Sequence, residues 1–326
     1  MTISTPMLNL KNTGKVKIKL YTTEDKDTWD TFVRSSKNAT FLLYRDFIEY
    51  HRDRFKDYSL LFYIDNKLVA ILPGHIVDKV YYSHMGLTYG GLIMSQDTTA
   101  SQVLMIFEYL TVTFRHQGIR KIIYKSIPHI YHRQPAEEDL YALFRYKAYL
   151  SSRGISSTVY NWDRVTYSDS RKNGLKKANK NNIKILINSN LVNFWNIVDK
   201  NLKNQYNKKP VHSLEEITYL QEKFPDNIKL YTAVDKDDSI LGGCLTFETD
   251  KVVHAQYTAA TEEGKNQGAI DLVIDHIINI ACSNKKIFDY GISTEDNGYY
   301  LNESLIYQKE GFGARATVYD TYTIDL

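Results

Sequence analysis

The chain has 326 residues, enough for two domains of about 150 residues each, and 43% of them are hydrophobic. Its 41 basic residues against 38 acidic ones leave a formal net charge of +3, too small a bias by itself to argue for nucleic acid, DNA included, or a membrane surface. The two cysteines, Cys244 and Cys282, sit apart in apolar segments, which excludes a disulfide framework and a zinc-finger spacing.

Met1 to Lys15 holds no apolar leader, and nowhere do 18 apolar residues follow one another. A cytoplasmic protein with no transmembrane segment is the expectation. Short helices are predicted over Trp29–Arg34 and Arg45–Phe55. A meander follows, with turns at Asp65-Asn66 and Asp78-Lys79 and an apolar strand after each. Ser83 to Gly91 carries three glycines with His84 and Tyr89, the makings of a tight loop against a ligand or a neighbouring domain, or of a bulged turn. A helix over Val103–Arg115, a strand over Lys121–Ile127, and a last helix and strand ending in Arg153-Gly154-Ile155 and Thr158-Val159-Tyr160 complete the first half.

The second half repeats this order after a boundary near 160–170. Leu191 to Leu202 places Phe194, Trp195, Val198 and Leu202 on one helical face. Ser213-Leu-Glu-Glu216 is a capping box opening a helix that stops at Phe224-Pro225. The meander returns 172 positions on, from 65 to 237 and from 78 to 250. A helix over Ile270–Cys282 and a strand over Lys286–Ile292 come next, the strand 165 positions beyond its counterpart at 121. Glu310-Gly311-Phe312 and Thr317-Val318-Tyr319 close the chain. The ordered matches read as a tandem duplication, with domains at 1–165 and 166–326.

Strand, two helices, antiparallel meander, helix, parallel strand, helix and final strand: this order resembles the GNAT acyltransferase fold. The ending Tyr307-Gln-Lys-Glu-Gly311-Phe312 is similar to the Tyr-x-x-x-Gly-Phe with which GNAT domains commonly close. Two such copies in one chain resemble the FemAB branch, the peptidoglycan-bridge aminoacyltransferases. The resemblance implies an α/β (α+β) protein of two tandem GNAT-like domains, each a mixed, mostly antiparallel sheet flanked by helices. It implies an N-acyltransferase that moves an acyl group from acyl-CoA to an amine, such as that of a cell-envelope amino sugar. The alternatives are a FemAB-like aminoacyltransferase using aminoacyl-tRNA, and a binding module that has kept the cleft and lost the chemistry.

By this resemblance Tyr307 is the general acid toward the departing thiolate, and its counterpart four before Gly154 is Leu150. A pyrophosphate would need N–H groups at a helix N-terminus. Gly264, Lys265, Asn266, Gln267, Gly268 and Ala269 before the Ile270 helix are the candidates, although Ile270 stands where the GNAT loop has a small residue. Asp289 and Gly291, opposite Tyr124 and Ser126 of the first half, suit substrate positioning or base work. His254 could take a proton from an attacking amine, or be a structural histidine. Gln256 shares its strand face and Tyr257 takes the other. Lys309 and Arg315 could contact an anionic substrate. The basic run Arg171, Lys176, Lys177, Lys180 and Lys184 could meet phosphate on tRNA or on a linked sugar, or be a solvated helix face capped by Asp169 or Ser170. No metal site is expected. Chemistry is assigned to the second copy, with the first a degenerate partner.

Overall fold

The computed structural model describes residues 15–284 and 286–326, with the backbone alone at 205 and 206. The N-terminal segment from Met1 to Lys15 lies, but for Lys15, outside the described residues. The first copy runs β1 (Val16–Leu20), α1 (Lys26–Ser35), α2 (Arg45–Ile48), β2 (Leu60–Ile64), β3 (Lys67–Leu72), β4 (His75–Val77), β5 (Val80–Tyr82), β6 (Ile93–Met94), α3 (Ala100–His116), β7 (Lys121–Lys125), α4 (Glu138–Arg145) and β8 (Tyr149–Tyr160). Its two hairpins turn through Asp65-Asn66 and Asp78-Lys79, all four at positive φ, as a two-residue type I′ turn demands.

The second copy runs α5 (Asp169–Lys180), β9 (Lys184–Ile187), α6 (Leu191–Tyr206), α7 (Leu214–Lys223), β10 (Ile228–Val234), β11 (Ile240–Glu248), β12 (Val252–Ala260), α8 (Glu262–Gln267), α9 (Ala269–His276), β13 (Ile287–Ile292), the small hairpin β14 (Thr294–Glu295) and β15 (Tyr300–Leu301), α10 (Glu303–Glu310) and β16 (Arg315–Asp325). The capping box at Ser213 and Glu216 opens α7. Ser168, one residue before the expected Asp169 or Ser170, caps α5 by accepting the Arg171 N–H. No helix among the described residues is long and apolar enough to cross a membrane.

Ten strands form one sheet in the order β4-β5-β7-β16-β8-β13-β12-β11-β10-β9, and β1-β2-β3-β6 form a second. The pairs β5–β7 and β12–β13 are parallel, and the rest of the large sheet is antiparallel. The two closing strands are exchanged. β16 lies between β7 and β8, and β8 lies between β16 and β13, so each copy's sheet is completed by a strand of the other. A division at 165/166 falls in the connection between β8 and α5, and both closing strands cross it.

Each copy packs one long helix on its sheet. Val103, Ile106 and Phe107 of α3 meet Phe62, Ala70 and Ile122, and Val273 and Ile274 of α9 meet Val253, Phe288 and Phe312. A third core joins the copies. Phe41 and Phe47, around α2, stack edge-on against Phe247 of β11 at 5.6 and 5.8 Å between centroids. Burial of rings of this size adds to the strand exchange in holding the halves together.

The duplication is visible in the paired strands. Ile122 pairs with Tyr81 as Ile287 pairs with Val252. β11, nine residues long, corresponds to β3 and β4, which Pro73 and Gly74 break in two. Proline removes a ladder donor, and a Cβ on Gly74 would lie 2.1 Å from the Tyr81 hydroxyl. One expected correspondence is wrong. Gly154 lies within β8 rather than at a helix end, so Leu150 is a half-exposed strand residue and not the partner of Tyr307. The helix ends align instead at Lys147 and Gly313, both left-handed, each donating its N–H to the carbonyl three residues back. That alignment sets Tyr141 against Tyr307, and buried Leu143 against Lys309.

Candidate active site

β12 and β13 pair only from Val252 to His254 and from Ile287 to Asp289, then part. Beside the fork, β12 bulges. Tyr257 pairs with Leu245 and Ala255 with Thr246, which leaves Gln256 without a partner. A bulge re-aims the side chains and amides around it, and this one faces the gap. β13 turns away through Gly291 at φ 76°, where a Cβ would also press on the His254 ring at 3.1 Å.

Asp289 sits at the fork, fully buried. Its Oδ2 accepts Tyr319 Oη at 2.5 Å, Tyr131 Oη at 2.7 Å and His254 Nδ1 at 2.8 Å. Its Oδ1 accepts the Gly291 N–H at 3.1 Å and the Ser156 hydroxyl. Burial alone would raise the carboxyl's pKa. The adjacent His254 ring, with the Ser156 and Tyr319 hydroxyls, outweighs burial and holds it well below the usual carboxylate range. Five donors satisfy the carboxylate in its ionised form, and its Oδ2 holds the His254 ring through Nδ1. His254 Nε2 has no partner among the described residues, and the ring lines a cavity of about 570 Å³.

Lys309 on α10 is 8% exposed, and its ammonium donates to Gly291 O at 2.8 Å and Ile292 O at 3.0 Å. Burial pulls its pKa down to about 8, against the attraction of Asp289. Two of its three protons are engaged, leaving one. Lys309 lines a pocket of about 250 Å³ with Ala255, Gln256, Tyr290 and Phe312. This pocket shares Ala255, Gln256 and Tyr290 with the 570 Å³ cavity. On its other side it shares Thr258, Ile270, Leu305 and Gln308 with a third cavity of about 590 Å³. The three adjoin across the fork, with His254 on one side and Lys309 in the middle.

The other residues singled out in the sequence fall variously. Gln256 lies at the bulge, and Tyr257 lines the 590 Å³ cavity with its hydroxyl 2.7 Å from His212 Nδ1. Gly264 to Gln267 belong to helix α8 and not to an open loop. A Cβ on Gly264 would meet Leu241 O at 2.0 Å and one on Gly268 would meet Gly174 O at 2.2 Å, so both glycines serve helix packing. Lys265 is paired with Glu262, Gln267 hydrogen-bonds Glu263, Asn266 is exposed and Ala269 is buried. The N-terminus of α9 packs on α5 and lies in the wall of the 590 Å³ cavity, which Lys265, Gly268, Ile270 and Asp271 line, with Asp271 paired to Arg171 at 2.8 Å. Lys176 and Lys177 are exposed on α5, and Arg315 lies outside all three cavities.

Tyr307 is 72% exposed, on the side of α10 away from Ser304, Leu305, Gln308 and Lys309, and lines none of the cavities. Helical spacing decides this, since positions 304, 305, 308 and 309 share a face that 307 does not. The acid assignment to Tyr307 is therefore withdrawn. Tyr307→Phe should leave the transfer rate unchanged and shift stability by no more than about 0.5 kcal/mol, as surface changes do; a large loss of rate would restore the phenol to the mechanism.

Tyr131, Ser156 and Tyr319 were not foreseen. Two of them come from the first copy: Ser156 on the exchanged strand β8, and Tyr131 in the short helical turn after β7.

No protein-family model matches the chain, and no curated protein matches it. Solved structures do resemble it. FemX superposes with a TM-score of 0.68 at 9% identity, over 95% of this chain and 97% of that one. A conserved protein of unknown function from Bacteroides thetaiotaomicron gives 0.61 at 11% identity, over 96% and 100%. L-PGS from Bacillus licheniformis gives 0.58 at 12% identity, over 92% and 91%. The chain has the tandem GNAT-like, FemAB-like fold.

Proposed function

We propose that the chain is an acyltransferase that moves an acyl or aminoacyl group onto an amine, with the donor in the 590 Å³ cavity and the acceptor in the 570 Å³ cavity. The observation that carries this reading is the His254–Asp289 pair and the buried Lys309 ammonium on adjoining pockets at one fork of the sheet. Asp289 fixes His254 with its proton on Nδ1, which leaves Nε2 to accept the proton of the attacking amine. The amine nitrogen bonds to the donor carbonyl carbon. The Lys309 ammonium and the backbone at the Gln256 bulge stabilise the oxyanion. As the bond to the leaving oxygen or sulfur breaks, His254 returns the proton to it.

For the donor, the reading favours an aminoacyl ester on RNA over a CoA thioester. At the α9 N-terminus, where a pyrophosphate would lie in the wall of the 590 Å³ cavity, Asp271 already sets a carboxylate and Gly268 packs on the α5 backbone. From 171 to 209 the chain carries ten Lys or Arg residues and one acid, Asp199, although its overall charge is only +3. Arg171 of this stretch lines the cavity, and Lys176, Lys177 and Lys180 are exposed farther along α5. Such a surface suits a phosphate backbone.

The test is to follow deacylation of aminoacylated RNA minihelices, and separately of acyl-CoA, with and without amine acceptors. Amine-dependent deacylation of the RNA ester, weakening with salt, is the expected result. Transfer from CoA alone would overturn the donor assignment. Binding of either donor with no transfer to any amine would leave the non-catalytic module as the better reading.

A further inference from the structure

We propose that Lys125 anchors an anionic group of the acceptor, so that the 570 Å³ cavity takes an elongated amine with a carboxylate or phosphate at its far end. This names a substrate class for the same site, and it rests on the transferase reading for the role of the amine.

Lys125 closes β7 of the first copy and is the one Lys or Arg in the lining of this cavity. Its ammonium donates to two backbone carbonyls, Leu87 O at 2.9 Å and Met85 O at 3.1 Å. No carboxylate lies within ion-pair distance among the described residues. A partly buried ammonium normally finds a counter-ion, because carbonyl dipoles replace lost hydration only in part. One of its three protons has no acceptor, and the Thr88 hydroxyl stands in the same wall. Desolvation lowers the Lys125 pKa with no charged neighbour working against it, as expected of a cation whose partner is a ligand.

The opposite sign is gathered elsewhere in the same lining. Glu295 and Asp296 lie exposed on the β14–β15 hairpin without ion partners among the described residues, whereas Asp320 is already held by Arg153 at 2.7 Å. The hairpin acids suit an acceptor amine that arrives as an ammonium ion and loses one proton to solvent before it attacks, leaving His254 free to take the proton released on attack.

Sheet order supplies a length. From β7 to β12 the order is β7-β16-β8-β13-β12. Four spacings of about 4.8 Å amount to roughly 19 Å across the sheet, and along β8 Lys125 is level with Ser152 while His254 is level with Thr158, so the two stand at well-separated ends of the cavity. An acceptor touching both carries its charge well away from its nucleophile. The two copies then divide the work on one substrate, the first holding the far end of the acceptor whose amine the second copy's dyad activates.

The test is equilibrium binding of 8-aminooctanoate, its primary amide and 8-aminooctyl phosphate to the full chain, and to the Lys125→Met and Lys125→Arg variants, with melting curves as a check on folding. The intact chain should bind at least one of the two anionic amines roughly tenfold or more tighter than the amide, a difference of about 1.4 kcal/mol. Whichever anion is preferred identifies the source as carboxylate or phosphate. The preference should vanish in Lys125→Met and survive in Lys125→Arg. Equal binding of acid, phosphate and amide by the intact chain, or an unchanged preference in a folded Lys125→Met, would overturn the proposal. A Lys125-dependent preference without any acyl transfer would keep the anchor and remove the transferase reading. Transfer without the preference would do the reverse.

Discussion

Replacing Lys309 with methionine should lower the maximal transfer rate by roughly 10²- to 10³-fold, the loss seen when one preorganised oxyanion donor is removed. The charge develops on the donor carbonyl only as the new C–N bond forms. Binding of donor and acceptor should therefore change far less than the rate. The pH dependence gives a second, independent reading. Burial brings the Lys309 pKa down to about 8, so the ammonium is present below that value and lost above it. The single-turnover rate should accordingly fall as pH rises through about 8. Lys309→Arg, whose guanidinium stays charged, should lose that alkaline limb even if its fit is poorer. For stability the sign is opposite. The folded state disfavours the charged lysine, so the cost of holding it is full below about pH 8 and is relieved between there and the unfolded pKa of about 10.4. Methionine removes that cost but leaves Gly291 O and Ile292 O without their donor, about 1–3 kcal/mol for each. The two effects oppose, so the melting temperature is a poor reporter and the pH–rate profile a good one. A folded Lys309→Met enzyme with a normal rate would remove the lysine from the chemistry.

The architecture was legible because its signals are local. Turn residues at Asp65-Asn66 and Asp78-Lys79, helical spacing at Ile270 to Ile278, and the capping box at Ser213 each declare an element without reference to the rest of the chain, and their repetition declares the duplication. The site was legible in part for the same reason: His254 and Asp289 lie on recurring strands and draw attention as polar residues in apolar runs. Tyr307 misled because a motif match fixes a position along a helix and not the face it presents. The true difference between the copies lies two residues on, at Lys309 against Leu143, and only the aligned helix ends at Gly313 and Lys147 expose it. Tyr131 and Ser156 carried no local signal at all. Ser156 reaches Asp289 because β8 and β16 cross between the copies, and Tyr131 because the turn after β7 packs at the same seam, long-range juxtapositions that neither periodicity nor turn chemistry encodes.

Asp289→Asn should damage both fold and rate, in separable ways. Five donors converge on this carboxylate, and an amide can accept at one end only. Losing two of these charge-assisted bonds costs about 3–6 kcal/mol at 1.5–3 kcal/mol each. The pH dependence of that loss has a definite sign. The folded carboxyl lies below its unfolded value of about 3.9, so its contribution is present above that pH and disappears as pH falls through the folded value. Melting curves of the native chain should therefore show an acid limb below about pH 4 that is shallower in the Asn variant, with the two proteins furthest apart at neutral pH. The kinetic damage has a different origin. With an amide N–H facing it, His254 turns its proton to Nε2, the nitrogen that must be free to accept from the amine. The rate per folded molecule should drop by roughly 10²- to 10⁴-fold, the worth of a general base. His254→Gln should cost a similar factor, because it removes the same function outright. The double variant should then be scarcely slower than either single one, since a carboxylate that acts through the histidine has nothing left to orient. Losses that multiply across the pair would mean that Asp289 and His254 act independently, and the dyad would have to be abandoned in favour of Lys309 and positioning alone.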